Sequence, residues 1–476
     1  METLMAYSST RTGSAEADRG AQVDVTLGQA WARTVAISPH TPLPDVSAVD
    51  PRIHHALRIV EDGLLCSGAG MVRSVPSAGA IYPYDVMVLL RGRGARDASA
   101  HHLDLARRMC VQLDIDAGRI DTLLAPQDED FEACILLVVR PWLSIRKYGT
   151  RGFLYTQIDA GHAVTNMLGT ALERGQARLR LSLPREEISK ALHEQLPWRE
   201  AHSVIDLHAA PETLDAPAGW RFARRNDRTV RDSTLRLEEI SWNYIPAILR
   251  LDGGRTESEP VEQPLVRIDG ADQADWIERD AWSELSRRRR SCKRFGPGTP
   301  EPDALLGAIG ALGTPLPVDL DPEGAEHFGA SVVVGPGTLG TASPASWTGA
   351  SHLAETDWVH QPQAVADACM GQQHLAGASM FVVFHDSRRR VLERTDPRNL
   401  REAMFRAAGA AQLIYLGAAR SGVAITAVGG FDTARWRGAA NLSDDREIFY
   451  ILALGSDGPG HTKLDRSEIA LAQGER

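Results

Sequence analysis

The stretch RSVPSAGAIYPYDVMVLL, residues 73–90, crowds small side chains between two prolines and then enters an apolar run. An ordinary surface loop would carry Asn, Asp and Lys as well. Here Pro76, Ser77, Ala78, Gly79 and Ala80 clear side chains away, so that backbone can approach something flat or anionic. A second candidate is RRSCKRF, residues 289–295, in which Arg289, Ser291 and Lys293 alternate and so face one way in an extended segment. Two cations flanking a hydroxyl suit a phosphate or the polar edge of a heterocycle, with Phe295 anchoring the segment in the core. In AITAVGGFD, residues 424–432, Gly429 and Gly430 follow a short strand and offer backbone N–H groups to a ring system. Lys463 and Arg466, near the C-terminus, are spaced to complete a phosphate clamp. Finally, RKYGTRGFLYTQIDAGH, residues 146–162, supplies Lys147, a base whose pKa falls on desolvation, and Tyr148 to orient it or donate a proton. Each motif also has a plain reading on its own: a solvated charge run, a turn, an exposed tail, a chance dipeptide.

Other groups are set aside. GPGTLG, residues 335–340, fits the spacing of a dinucleotide-binding turn, but Pro344 and the absence of helical periodicity deny it the helix N-terminus that chemistry requires. It is expected to be a simple turn. His162 lies on a small-residue helix face and is expected to be a packing residue. The pairs His54-His55 and His101-His102 have no carboxylate or thiol company in sequence and are expected to face solvent. Cys66, Cys110, Cys134, Cys292 and Cys369 are scattered without CxxC spacing, which suits reduced, buried thiols in a cytoplasm and gives no metal site.

The elements that must position these groups occur twice. Small-residue helices are expected at 159–175 and 407–422, each preceded by an apolar strand, at 133–139 and 378–384. Strand-like runs follow at 202–207 and 448–455. Aligning Gly161 with Gly409 also pairs Ala163 with Ala411, Leu168 with Leu416, Gly169 with Gly417 and Ala171 with Ala419. The repeated order predicts a tandem duplication of one α+β unit, able to pack as a pseudo-dimer within one chain. The expected division is a disordered tail at 1–24, a first domain at 25–250, a Gly-, Glu- and Pro-rich linker at 251–270 and a second domain at 271–476.

Bulk properties narrow the function. A net charge of −10 without a basic, aromatic-interleaved stripe argues against nucleic acid. No run of eighteen apolar residues is present to span a membrane, and the N-terminus lacks the apolar segment of a secretory signal.

Taken together the motifs resemble a known family. PSAGAIYP is similar to the PSAGAxYP motif of the SagB-type dehydrogenases of the nitroreductase fold, and KYGTRGFLYTQIDAGH resembles their Lys-Tyr segment and following helix. RRSCKRF resembles the RRSxRxF opening of nitroreductases, with Lys293 where arginine is more usual. GQQHLAGASMFVVF, AAGAAQLIYLGAARSGVAITAVGGFD and REIFYILALG resemble the later blocks. The resemblance implies an α+β fold of two nitroreductase-like domains with FMN bound where they meet. It carries cofactor roles onto Pro76–Ala80, Arg289, Arg290, Ser291, Lys293, Gln372, Gly429, Gly430, Lys463 and Arg466, and a substrate role onto Lys147 and Tyr148. The first half lacks the Gly-Gly-Phe block and the second lacks the PSAGA motif, so one FMN per chain is expected. The family activity is oxidation of thiazoline or oxazoline rings of a ribosomal precursor peptide to azoles. The implied partners are that azoline peptide and a cyclodehydratase of the same pathway, with the enzyme itself a monomer or homodimer. Two other readings stay open: the same fold acting on a carrier-bound azoline, enone or nitro group, and a non-catalytic scaffold of a peptide-modifying complex.

Overall fold

A computed structural model of the chain describes residues 40–42, 49–65, 73–92, 98–124, 131–148, 151–192, 196, 199–208, 217–225, 259–268, 275–342, 350–393 and 397–458. The expected tail at 1–24, Cys66, Lys463 and Arg466 lie outside them. Two compact units are present, the first drawing its described residues from 40–73 and 77–260, the second from Ser74–Pro76 and from 261 onward.

In the first unit the elements run β1 (His40–Pro42), α1 (Pro51–Leu64), β2 (Tyr84–Leu90), β3 (Ser99–Asp104), β4 (Met109–Gln112), α2 (Ala117–Leu124), β5 (Phe131–Val139), α3 (Pro141–Tyr148), α4 (Arg151–Arg174), β6 (Ala177–Arg180), α5 (Arg185–Leu192), β7 (Glu200–His208) and β8 (Arg221–Arg225). Its strands are ordered β1-β8-β4-β3-β2-β5-β7-β6. All pairs are antiparallel except β4 with β8. The runs YDVMVLL and FEACILLVV carry apolar residues at successive positions, which requires cover on both faces of the sheet. On one face Met87, Leu89, Cys134, Leu136 and Val138 pack with Ile120 and Leu124 of α2 and Ile188 and Leu192 of α5. Helices α1 and α4 lie against the sheet as well. The turn into α1 follows ordinary capping rules: the Asp50 carboxylate accepts from the Arg52 amide at 2.9 Å, and Pro51 occupies the first turn.

The second unit runs β9 (Val261–Pro264), α6 (Trp282–Arg288), α7 (Pro302–Gly310), β10 (Pro315–Val318), α8 (Gly324–His327), β11 (Gly329–Val334), β12 (Leu353–Glu355), α9 (Pro362–Ala368), β13 (Met380–Ser387), α10 (Pro397–Ser421), β14 (Ala424–Ala427), α11 (Thr433–Ala439) and β15 (Arg446–Gly455). Its main sheet is ordered β12-β11-β13-β15-β14, antiparallel except for β11 with β12. One face packs Phe381, Val383, Ile451 and Ala453 onto Trp436, whose ring meets Phe381 at 4.8 Å and whose Nε1 donates to the Ala368 carbonyl at 3.1 Å. Helix α10 takes the other role that the small residues foretell, close approach to α7. A Cβ on Gly417 would collide with the Ala308 carbonyl oxygen and lie 2.8 Å from the Ala311 Cβ. Gly417→Ala is therefore expected to cost about 1–3 kcal/mol through overpacking, read as a lower midpoint in urea at unchanged slope.

Three expectations are corrected. Part of the stretch read as linker, Val261–Pro264, is strand β9, antiparallel to β10, with Gln263 Nε2 donating to the carbonyls of Val318 and Leu320 at 3.2 Å each. Its partner lies fifty residues later, so only tertiary pairing reveals it. The histidine pairs do not face solvent: His54 and His55 are buried on α1, and His101 is buried in β3 between β2 and β4. Nor is carboxylate company missing, because His102 Nε2 lies 3.6 Å from Asp85 Oδ1. The turn at 335–340 has the expected non-helical character, with Gly337 and Gly340 at φ 76° and 58°. His162 is fully buried on α4, as expected of a packing residue.

Candidate functional site

In the first unit the small-residue loop forms a tight turn at Ala78–Ala80 just before β2. Gly79, Ala80 and Tyr82 have φ of 65°, 57° and 49°. Gly79 adopts this region freely, whereas Ala80 and Tyr82 do so at a cost of about 1 kcal/mol or more each. Something must therefore hold the turn. At its start the carboxyl of Asp159 accepts from the Ser77 hydroxyl at 2.5 Å and from the Ala78 amide at 3.1 and 3.2 Å. The Ser77 oxygen in turn accepts from the Tyr82 amide at 2.9 Å, closing the loop on itself. At its end Arg140 Nη2 donates to the carbonyls of Tyr82 and Tyr84 at 3.3 and 3.2 Å. Arg140 itself sits 3.5 Å from Asp85, whose other oxygen accepts from Arg199 at 2.9 Å. Flanking guanidiniums hold the Asp85 carboxyl well below the usual carboxylate range in spite of burial. The Arg73 guanidinium lies 5.3 Å from the centre of the Tyr82 ring.

Asp159 was not among the sequence candidates. It is one turn after Tyr155 on α4, and positions four apart share a helix face. Tyr155 packs edge-on against Tyr148, ring centres 4.9 Å apart at 86°. One stripe of α4 thus touches both first-unit motifs: Tyr148 through Tyr155, and the Ser77–Ala80 turn through Asp159. Lys147 and Tyr148 occupy the last turn of α3, which joins α4 within three residues. The join is tight because any Cβ on Gly152 would strike the backbone of Ser144 and Ile145. The Lys147 side chain lies outside the described residues. Burial pushes the Tyr155 phenol up, opposed by Arg151, and pushes the Asp159 carboxyl up to about 7, its two hydrogen bonds pulling the other way.

In the second unit Arg289 leaves α6 in extended conformation and turns inward, only 5% exposed. Its Nη1 donates to Ser291 Oγ at 3.0 Å, and its guanidinium lies 5.4 Å from the centre of the buried Tyr415 ring. Ser291 Oγ and the Tyr415 hydroxyl are 3.4 Å apart. Burial pushes the Tyr415 phenol up against the pull of Arg289. Arg290 points the other way, exposed and donating to the carbonyls of Arg287 and Arg289 at 2.7 and 2.8 Å. Lys293 is half-buried, and Phe295 is buried as expected. The Cys292 amide donates to the Ile425 carbonyl at 2.7 Å, which ties this segment to β14 and so to the glycine loop after it.

That loop is held by Gln372. Its Nε2 donates to the carbonyls of Cys369 and Gly430 at 2.7 and 2.8 Å. Gly429 is exposed, and a Cβ on Gly430 would lie 3.3 Å from Met370 Sδ, so glycine keeps the backbone edge clear. The structure therefore brings Arg289 with Ser291, and Gln372 with Gly429 and Gly430. Paired cation and hydroxyl, together with a solvent-exposed glycine turn, are residue types that fit a flavin phosphate and ring edge. Among the described residues no group of three or more His, Cys, Asp or Glu side chains is arranged to hold a metal ion, and no helix is long and apolar enough to cross a membrane.

The Nitroreductase family model matches residues 341–456. No curated protein matches the sequence. Among solved structures, a protein of Anabaena variabilis ATCC 29413 named for the nitroreductases superposes with a TM-score of 0.61 at 14% identity, over 90% of this chain and 95% of that one. The Escherichia coli microcin synthetase complex McbBCD, with a truncated pro-peptide bound, matches at a TM-score of 0.30 and 14% identity, over 37% of this chain and 68% of that chain. A nitroreductase family protein of Clostridium novyi NT gives 0.24 at 14% identity, over 37% and 85%. Only the first bears on architecture, and it does so across nearly the whole length: the chain has the nitroreductase fold, in mixed α+β form.

Proposed function

We propose that this protein is an FMN-dependent dehydrogenase that oxidises thiazoline or oxazoline rings of a ribosomally made precursor peptide to thiazoles or oxazoles. The observation that carries the reading is the single stripe of α4 that supports both the Ser77–Ala80 turn and Tyr148. Two motifs that resemble those of one enzyme family are thereby served by one element, as a working site requires. The peptide substrate and a cyclodehydratase that makes its rings are the partners this reading assigns.

FMN, when bound, supplies the hydride acceptor, and dioxygen returns it to the oxidised state. Ring aromatisation removes two hydrogens, one as hydride and one as a proton. Lys147, as the neutral amine, takes the proton, and Tyr148, its ring fixed edge-on by Tyr155, orients that amine. The Pro76–Ala80 turn lets backbone approach the cofactor without side chains in the way. Arg289, Ser291 and Lys293, with Lys463 and Arg466, hold the phosphate, while Gln372 and the amides of Gly429 and Gly430 meet the polar ring edge, the amides and nearby cations offsetting negative charge. Arg290, turned onto its own backbone, is left with at most a long-range electrostatic part.

The test is direct. Purified full-length protein is expected to be yellow, with one FMN per chain, and to lower the mass of an azoline peptide by about 2 Da per ring, two hydrogens. A colourless protein that takes up no FMN overturns the reading in favour of a scaffold. A yellow protein that leaves azoline peptides unchanged but reduces nitro or enone compounds with NAD(P)H overturns the substrate assignment alone.

A further inference from the structure

We infer that Asp159 is a positioning residue that holds the Ser77–Ala80 turn in the shape FMN binding requires, an inference that rests on the flavin reading above. The carboxyl is 3% exposed, and both its oxygens are taken up by this turn: Ser77 Oγ on Oδ2, the Ala78 amide within reach of both. Among the described residues the groups acting on it are the Ser77 hydroxyl and the Ala78 amide, with no cation beside them. A buried carboxyl without a cation is an expensive way to tie down a loop that is merely structural. The conformation it ties is itself costly, with two non-glycine residues at positive φ, and such strain persists only where its surroundings dictate it.

The tie also fixes the Ser77 side chain. Ser77 would otherwise be free to cap or to bond solvent, and its oxygen is instead locked between Asp159 and the Tyr82 amide. Asp159 therefore acts through the turn and does not itself need to touch cofactor or substrate. Its elevated pKa, about 7, is consistent with a carboxyl that works by hydrogen bonding rather than by charge.

The experiment titrates flavin-stripped, full-length wild type and the variants Asp159→Ala, Asp159→Asn and Ser77→Ala with FMN, and records the visible absorption and circular dichroism of the bound flavin. Loss of a hydrogen bond to a charged or strongly polar buried group is worth about tenfold or more in affinity. Asp159→Ala and Ser77→Ala are expected to weaken FMN by about that factor and to alter the bound-flavin spectrum. Asp159→Asn keeps an acceptor for the Ala78 amide and a donor for the Ser77 oxygen, and is expected to bind FMN nearly as wild type does. Should Asp159→Ala fail to fold, Ser77→Ala reads the same tie from the half-buried side of the turn. Wild-type affinity and spectrum in Ser77→Ala or in folded Asp159→Ala overturn the inference and leave the flavin reading intact. Equal losses in Asp159→Asn and Asp159→Ala overturn it too, since charge and not the hydrogen-bonded tie would then matter. A wild-type chain that takes up no FMN overturns the flavin reading, and the inference falls with it.

Discussion

A Lys147→Ala protein is expected to purify yellow, with flavin content unchanged, and to lose azoline oxidation by about 10²–10⁴-fold, the usual contribution of a positioned acid or base. The expectation follows from the proton that aromatisation must shed. Lys147 shares the last turn of α3 with Tyr148, whose ring is fixed against Tyr155, so the end of that helix is anchored. Lys147→Arg should not restore turnover, because guanidinium keeps its proton at every working pH. Mass spectrometry of the peptide product and absorbance of the enzyme separate the possible results. A colourless Lys147→Ala protein would reassign the lysine to cofactor binding, and undiminished oxidation would remove it from the mechanism.

Arg289→Ala is expected to do the opposite, releasing FMN while leaving the acid–base pair untouched. Charge-assisted hydrogen bonds are worth about 1.5–3 kcal/mol, so the dissociation constant should rise about 10- to 150-fold. The guanidinium is held by Ser291 at 3.0 Å and stacked toward Tyr415, so it meets a phosphate without first being ordered. Arg290→Ala is the control, since that side chain is exposed and bonded to its own backbone. Fluorescence titration with FMN measures both. Equal weakening in the two variants would mean that diffuse positive charge, and not the inward-turned guanidinium, retains the cofactor.

Much of the fold was legible because the strands are continuous apolar runs, and continuity survives any uncertainty about partners. FEACILLVV and REIFYILALG are short enough, and rich enough in β-branched and aromatic residues, to read as buried strands. The small-residue stripes also announced close helix packing, which Gly417 against Ala308 bears out. The start of α4 was less readable. Its opening stretch, RGFLYTQ, lacks a clean apolar period, and the helix begins at Arg151, where Gly152 lets it abut α3. Without that stretch in the helix, Tyr155 and Asp159 do not line up, and the carboxyl anchoring the turn is not visible. A Tyr and an Asp four residues apart, next to a motif already under suspicion, were the available signal. The histidines failed for a different reason. Missing company along the chain does not mean missing company in space: His101 sits in an interior strand and bonds Ser99 Oγ at 3.0 Å, and His102 lies near Asp85 of the neighbouring strand. The segment at 261–264 was misjudged on composition, since Glu, Gln and Pro tolerate an edge strand as well as a linker.

Gln372 has one consequence for recognition. Two carbonyl oxygens lie within bonding distance of a single side-chain nitrogen, so the carboxamide cannot rotate to exchange its ends without setting oxygen against oxygen. The oxygen is left on the side of exposed Gly429, where a Cβ would approach it to 3.9 Å. On the flavin reading, a ring reaching this rim would meet an acceptor: an imide or amine hydrogen would be favoured there and a carbonyl disfavoured, so the leading edge of the heterocycle would be selected by its polarity.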